Sequence, residues 1–333
     1  MPALSEKAPP EQGCPPSMTQ SSLPGDVARP DLAGRQVALI GLGLMGQPMA
    51  RALRRAGAAV TVSTRSAAPL QAFAAEGFAT AATPAQAAAQ ADAVILMLTD
   101  TPAVDSVTTA LLTADLAGKL IIDMGTTAPQ ATRRLAAQVA AAGAAWVDAP
   151  VSGGQVGAEQ ATLTIMAGGD DAAFARALPL LQAMGRHITH VGGCGAGQVA
   201  KAANQVIVGL TIGAVAEAMA LARSAGVDPA RLREALMGGF AASRILDLHG
   251  LRMAEGRFQP GGRSVTQRKD LQQALDLAQD HALDLPVTRL IRDLYDRLID
   301  AGGGDLDHSG LYTLYAGAPA SGASGTSGTS GPD

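Results

Sequence analysis

Val37-Ala38-Leu39-Ile40-Gly41-Leu42-Gly43-Leu44-Met45-Gly46 is the stretch that decides the fold. A four-residue apolar run enters a Gly-x-Gly-x-x-Gly string and leaves it in a segment of helical character, Met45 to Ala56. The glycine spacing alone is a weak signal; a strand before it and a helix after it make the context that a dinucleotide turn requires. Gly41 makes the tight turn, Gly43 lets a pyrophosphate approach the backbone, and Gly46 lets the helix lie close on its strand. Leu42, Leu44 and Met45 complete the turn, and the phosphates meet the positive helix N-terminus.

Outward from this turn, short apolar runs alternate with alanine-rich helical segments from Gln36 to Val191, as in βαβ units on a parallel sheet. The expected strands are Val37 to Ile40, Val60 to Ser63, Ala93 to Leu98, Leu120 to Asp123, Ala145 to Val147, Leu163 to Ala167 and Ile188 to Val191. Helices are expected over Met45 to Ala56, Pro69 to Glu76 and Pro129 to Ala142. Past the cluster Gly192-Gly193-Cys194-Gly195-Ala196-Gly197 strand signals vanish, and only helices are expected. The fold class is therefore α/β, a Rossmann-type doubly wound parallel sheet followed by an all-helical C-terminal domain. The expected boundaries are a disordered tail over 1–33, a dinucleotide-binding domain over 34–195, a helical substrate and dimerisation domain over 196–316, and a Gly/Ser-rich tail over 317–333.

Composition narrows the partners. The chain has 333 residues, 25 Lys plus Arg against 29 Asp plus Glu, and a formal charge of -4. No basic run with interleaved aromatics stands out, so a nucleic-acid partner is not expected. Two cysteines, Cys14 and Cys194, without CxxC spacing point to a reducing cytoplasm and to no zinc site. The apolar run Val199 to Ala222 contains Gly209-Leu210-Thr211-Ile212-Gly213. Lys201, Asn204 and Gln205 crowd one end, Glu217 interrupts it, and neither a basic flank nor an aromatic belt is present, so it reads as a core helix and no membrane partner is expected. Its glycines would then serve close helix packing.

Three further stretches carry chemistry. The second strand ends in Ser63-Thr64-Arg65-Ser66, where an acidic residue would bond a ribose 2′-hydroxyl. Without that carboxylate, and with Arg65 beside Thr64, NADP(H) is favoured and NAD(H) is the alternative. Asp148-Ala149-Pro150-Val151-Ser152-Gly153-Gly154 follows a strand and can turn backbone N–H groups and the Ser152 hydroxyl toward a small carboxylate; an ordinary Pro-Gly turn is the bland alternative. On the apolar helix, Lys201, Asn204 and Gln205 share one face at helical spacing, so Lys201 is either a solvated first-turn lysine or a cleft ammonium. Gln267-Arg268-Lys269-Asp270-Leu271 is read as opening a helix from Asp270 to Asp280, where Lys269 and Asp270 could simply cap and charge it. Asp307-His308-Ser309 is too contiguous for a hydrolase triad, and His187 and His190 find no partner ligands, so no metal is expected.

Taken in order and spacing, Gly41-x-Gly43-x-x-Gly46, the loop Asp148 to Gly154, Gly197-Gln198-x-x-Lys201-x-x-Asn204-Gln205 and Lys269-Asp270-Leu271 resemble the β-hydroxyacid dehydrogenases, from Arg35 to Tyr315. Ala203 to Val208, Leu236 to Leu246 and Leu306 to Ser309 are more similar to the family's tartronate semialdehyde reductase branch. The resemblance implies reduction of a small carboxylate-bearing semialdehyde with Lys201 as the catalytic proton donor. It implies that Ser152, Gly153 and Gly154 hold the substrate carboxylate and that Asn204 positions substrate. Thr126 and Lys269 would line the nicotinamide side of the cofactor cleft, with Leu98 and Thr99 along the path toward the adenosine. A homodimer or homotetramer is implied as well. The chain departs from the family pattern at Gly125, where a serine is frequent, and at Arg65. The alternatives are 3-hydroxyisobutyrate, succinic semialdehyde or glyoxylate as substrate and, in another class, a dinucleotide-binding sensor or scaffold without catalysis.

Overall fold

A computed structural model describes residues 30–316. The expected tails fall outside the described residues except for residues 30–33, among which Leu32 is buried and donates its N–H to the Ala56 carbonyl at 2.7 Å.

The strands are β1 (Gln36–Ile40), β2 (Ala59–Ser63), β3 (Ala79–Thr80), β4 (Ala93–Leu96), β5 (Leu120–Asp123), β6 (Ala145–Asp148), β7 (Val151–Ser152), β8 (Leu163–Gly168) and β9 (Gly185–Gly192). They form one sheet in the order β3-β2-β1-β4-β5-β6-β8-β7, with β9 on β8. The pairs from β3 to β6 are all parallel. β8 runs antiparallel to β6 and β7, which modifies the purely parallel sheet expected from the sequence. Alternate residues face opposite cores: Val37 and Leu39 pack into one cluster, Ala38 and Ile40 into the other. Such double-sided burial explains why these strands read as unbroken apolar runs. In register, Ile40 lies beside Ser63 on one side and Leu96 on the other. The glycine turn, the Ser63–Arg65 segment and Leu98–Thr99 therefore emerge along one edge, at the switch point between β1 and β4 where α/β sheets bind ligands.

Beyond β9 the described elements are helical apart from an isolated bridge between Arg263 and Asp307. The long helix Ala196–Ser224 packs against helices Ser264–Asp280 and Pro286–Leu298 around Ile212, Ala216, Met219, Leu271, Ile291 and Tyr295. Among the described residues it is the one helix long and apolar enough to cross a membrane. Its two glycines serve packing. A Cβ on Gly209 would stand 2.9 Å from Leu271 Cδ2, and one on Gly213 would stand 2.4 Å from Ile291 Cδ1. One helix start differs from the sequence reading: Ser264, not Asp270, opens its helix. The Ser264 hydroxyl bonds the Leu306 and Asp307 carbonyls, a contact across more than forty residues that local periodicity does not carry. Lys269 and Asp270 thus lie well inside the helix and cap nothing.

Candidate active site

Gly41 has φ +108°, and a Cβ there would stand 2.3 Å from the Met97 carbonyl oxygen. A Cβ on Gly46 would stand 1.8 Å from the Gly41 oxygen, whereas one on Gly43 would meet nothing within 4 Å. The first and third glycines are therefore required by the turn, and the second leaves open space over it. Helix Gly46–Arg55 has no side-chain cap and no acidic residue in its first turn; Gln47 N–H is taken by the Gly43 carbonyl and Pro48 has none, so the Gly46 N–H and those of the turn before it are what remains for an anion. This cradle fits a dinucleotide pyrophosphate. Leu42 is buried, Leu44 is exposed and Met45 packs on the core. Thr64 is half-buried and Arg65 exposed just past β2; Leu98 is half-buried and Thr99 exposed just past β4.

The loop after β5 turns on Asp123, whose Oδ1 accepts from Gly125 N at 3.0 Å and whose Oδ2 accepts from the Thr127 hydroxyl at 2.7 Å. Gln198, on the long helix, accepts from Thr127 N at 3.0 Å and donates to the Gly125 carbonyl at 3.0 Å. Gly125 is no simple loss of a hydroxyl. A Cβ there would lie 2.8 Å from the Leu98 carbonyl oxygen, so a serine requires the backbone to shift. Asp148, ending β6, accepts from Gly195 N at 2.8 Å and Gln198 N at 3.0 Å, and so caps the long helix with a carboxylate from the sheet. Burial raises the Asp123 carboxyl to about 7, and burial likewise raises Asp148 to about 6, against the N–H groups that bond it.

These raised values set a pH dependence. A carboxyl whose folded pKa exceeds its unfolded value stabilises most below the unfolded pKa, and that stability is lost as pH rises through the folded one. Between about pH 4 and pH 7, wild type should therefore lose on the order of 3 kcal/mol relative to Asp123→Asn. Urea denaturation of both proteins across that range checks this, and parallel stability curves would contradict it.

Lys201 sits one turn beyond that cap. It is 7 % exposed, which removes the solvated-lysine reading. Its Nζ donates to the Val151 carbonyl at 2.9 Å and to Gln205 Oε1 at 3.0 Å. Burial lowers its pKa, opposed by Asp270 and reinforced by Lys269. Asn204 Nδ2 donates to the same Gln205 oxygen at 2.7 Å. Gln205 Nε2 donates to Asp270 Oδ2 at 2.6 Å and to Gln267 Oε1 at 3.3 Å. Lys269 Nζ lies 2.9 Å from Asp270 Oδ1 and bonds Gln273, which reaches Thr101; Thr101 in turn holds Ala128 N, close behind half-buried Thr126. Because Val151 precedes Ser152, the lysine is tied to the start of the Ser152-Gly153-Gly154 loop. Gly153 and Gly154 take φ of +127° and +60°, and a Cβ on Gly154 would come within 3.6 Å of the Gly261 carbonyl oxygen.

The structure thus brings Lys201, Asn204 and the Ser152 loop together, and links Lys269 to the Thr101–Ala128 region. Thr64 and Arg65 stand just past β2, on the same sheet edge as the glycine turn, and no hydrogen bond among the described residues links them to Lys201. Sequence reasoning assigned no role to Asp123, Gln198, Gln267 or His249; it read Gln205 only as part of a polar helix face, Asp270 as a cap, and set His308 aside with an unworkable triad. All are buried or half-buried polar groups, and apart from the local partners of Asp123 and Gln205 the groups they meet are distant in the chain. The legible signal was a polar residue repeatedly interrupting an apolar face, as Gln198, Lys201 and Gln205 do.

A family model described as the NAD binding domain of 6-phosphogluconate dehydrogenase matches residues 36–192, and one described as the NAD-binding domain of NADP-dependent 3-hydroxyisobutyrate dehydrogenase matches residues 195–315. The chain is 45% identical over 279 residues to 2-hydroxy-3-oxopropionate reductase of Escherichia coli, covering 83% of this chain and 95% of the relative. It is 37% identical over 293 residues to 3-hydroxyisobutyrate dehydrogenase of Pseudomonas aeruginosa, covering 84% and 98%. Among solved structures, the 3-hydroxyisobutyrate dehydrogenase of Mycobacterium tuberculosis with L-serine aligns at a TM-score of 0.77 and 32% identity, covering 84% of this chain and 98% of that one.

Proposed function

The chain belongs to the β-hydroxyacid dehydrogenase family of NAD(P)-dependent oxidoreductases, and from that premise we propose that it reduces tartronate semialdehyde (2-hydroxy-3-oxopropanoate) to glycerate with NADPH. The observation that carries this reading is Lys201: a buried ammonium with two of its three N–H donors bound by the protein, beside the loop that starts at Ser152. The cofactor, when bound, supplies hydride to the aldehyde carbon. Lys201 supplies the proton to the aldehyde oxygen and stabilises negative charge as it develops there. Ser152 and the N–H groups of Gly153 and Gly154 hold the substrate carboxylate, and Asn204, bonded to the lysine's own partner Gln205, orients the substrate. Gly41 to Gly46 cradle the pyrophosphate, Thr64 and Arg65 meet the adenosine ribose, Leu98 and Thr99 flank the path between the two ends, and Thr126 and Lys269 line the nicotinamide side.

The 45% identity to a 2-hydroxy-3-oxopropionate reductase favours this aldehyde over the 3-hydroxyisobutyrate family alternatives. The division into a cofactor half before residue 196 and a helical substrate half after it, a cytoplasmic location and a homo-oligomer belong to the same proposal. Exposed Ile207, Leu221 and Phe240, at 67%, 71% and 112%, support subunit contact. Initial rates of NADPH and NADH oxidation with tartronate, methylmalonate and succinic semialdehydes and glyoxylate test substrate and cofactor together. Tartronate semialdehyde with NADPH should give the highest kcat/KM. Arg65→Ala should raise KM for NADPH about tenfold and leave NADH unaffected, as loss of a charge-assisted phosphate contact requires. Equal effects on both cofactors would remove Arg65 from the ribose site.

A further inference from the structure

Gln198 stands where β5, β6 and the long helix meet. Its main-chain N–H goes to Asp148 Oδ2 at the end of β6, and its side chain crosses to the loop after β5. There Oε1 accepts from Thr127 N and Nε2 donates to the Gly125 carbonyl, both at 3.0 Å. This orientation of the amide is fixed, because the reverse one sets N–H against N–H and oxygen against oxygen. Gln198, Thr127 and Asp123 are all buried, and the second amide N–H points to Asp123 Oδ2 at 3.4 Å. Both amide protons are thus taken up inside the protein, and the side chain acts as a tie rather than as a ligand.

The loop it holds has no slack on its other side, since the Leu98 carbonyl leaves no space for a Cβ on Gly125. Its far end is tied in the same manner. Ala128 N and Gln273 Nε2 both donate to the Thr101 hydroxyl, at 2.9 and 3.3 Å, and Gln273 Oε1 accepts from Lys269 at 3.4 Å. Two amides on two helices of the C-terminal half therefore grip one loop of the sheet half, and each stands one turn from a lysine, Gln198 from Lys201 and Gln273 from Lys269. At i, i+3 Gln198 and Lys201 share a helix face, about 4.5 Å apart along the axis. A displacement at Gly125 to Thr127 is carried through that turn to the Lys201 stem, and it alters the bond from Nζ to the Val151 carbonyl, which belongs to the sheet half.

We propose that Gln198 is a positioning residue that couples the loop Gly125 to Thr127 to Lys201, on the reading that Thr126 lines the nicotinamide and Lys201 is the proton donor. Hydride and proton must reach the two bonded atoms of one carbonyl, the first from a cofactor lying on the sheet half and the second from an ammonium carried on the helical half. A misplacement of about 1 Å can cost a hundredfold in rate. Gln198 sets that separation directly, by bonding the main chain on both sides of Thr126 and standing on the helix that carries the lysine. Occupancy of the nicotinamide site is then felt at Lys201 before any substrate arrives.

Selective ¹³Cε-lysine labelling of the full chain reads this coupling, because the sequence has four lysines, Lys7, Lys119, Lys201 and Lys269, whose resonances single Lys→Arg exchanges assign. On saturation with NADP⁺ or NAD⁺ the Lys201 and Lys269 resonances should both move in wild type. In Gln198→Met, which keeps the unbranched length and loses both hydrogen-bonding ends, Lys269 should still move and Lys201 should not. kcat for tartronate semialdehyde should fall about tenfold, as for a lost hydrogen bond, while the Kd of the cofactor and the KM of the aldehyde stay within about twofold. Gln198→Asn, one methylene too short to reach both main-chain groups, should lose the Lys201 response as well and serves if Gln198→Met does not fold. A glutamine of purely structural importance would lower Tm and kcat and leave the Lys201 response intact, and that result would overturn the proposal. So would a wild-type Lys201 resonance indifferent to the cofactor. If wild type reduced no semialdehyde, the functional reading would fail, and the lysine resonances would still decide the coupling.

Discussion

Lys201→Ala should lower kcat for tartronate semialdehyde about a thousandfold, within the range general acids contribute, and leave the Kd for NADPH nearly unchanged. The separation follows from the architecture. The lysine's contacts are Val151, Gln205 and, through Gln205, Asn204 and Asp270, and the glycine cradle shares none of these hydrogen bonds. Stopped-flow turnover and quenching of NADPH fluorescence read the two effects independently. The pH profile adds a signed expectation. Reduction uses the ammonium, and burial places its pKa below the ordinary lysine range, so the rate should fall as pH rises through that lowered value. The reverse oxidation, which needs the free amine, should gain over the same interval. A variant with near-normal turnover would dismiss Lys201 as the proton donor.

Gly197→Ala should be nearly as damaging, by a different route. A Cβ at Gly197 would lie 2.4 Å from the Met166 carbonyl oxygen and 2.6 Å from that of Asp148. Both are backbone atoms of strands in the sheet, so neither neighbour can swing aside. The long helix must lift from the sheet, and the Asp148 cap on Gly195 and Gln198 breaks with it. We expect a loss of about 3 kcal/mol and a Tm lower by about 10 °C, together with reduced turnover, because Lys201 follows one turn later. Scanning calorimetry with and without NADPH measures this; an unchanged Tm would show that the contact relaxes at little cost.

The parallel half of the fold was legible because its central strands β1, β4 and β5 are buried on both faces, and an apolar run such as Leu120 to Ile122 can do little else between two helical layers. β3 and β7 escaped notice because two residues have no period. The antiparallel turn of β8 was hidden for another reason: strand direction is a property of connections, and Val151-Ser152 folds back only because Gly153 and Gly154 accept positive φ. At the site, Lys201 was conspicuous as a charge on an apolar helix, and Asn204 and Gln205 followed from helical spacing. Asp270, Gln267 and His308 carry no such mark. Each lies 62 or more residues from the helix face it supports, and each would pass locally as an ordinary surface group.

Lys201 takes its first bond from a main-chain oxygen, that of Val151, and no side-chain replacement can delete a carbonyl. The same peptide unit begins the loop proposed to grip the substrate. Any insertion or exchange that reshapes Ser152-Gly153-Gly154 to admit a different acid therefore also re-aims the ammonium. Substrate range and proton delivery are mechanically geared to each other here, so a redesign that broadens the first should be screened for activity at every step rather than for binding alone.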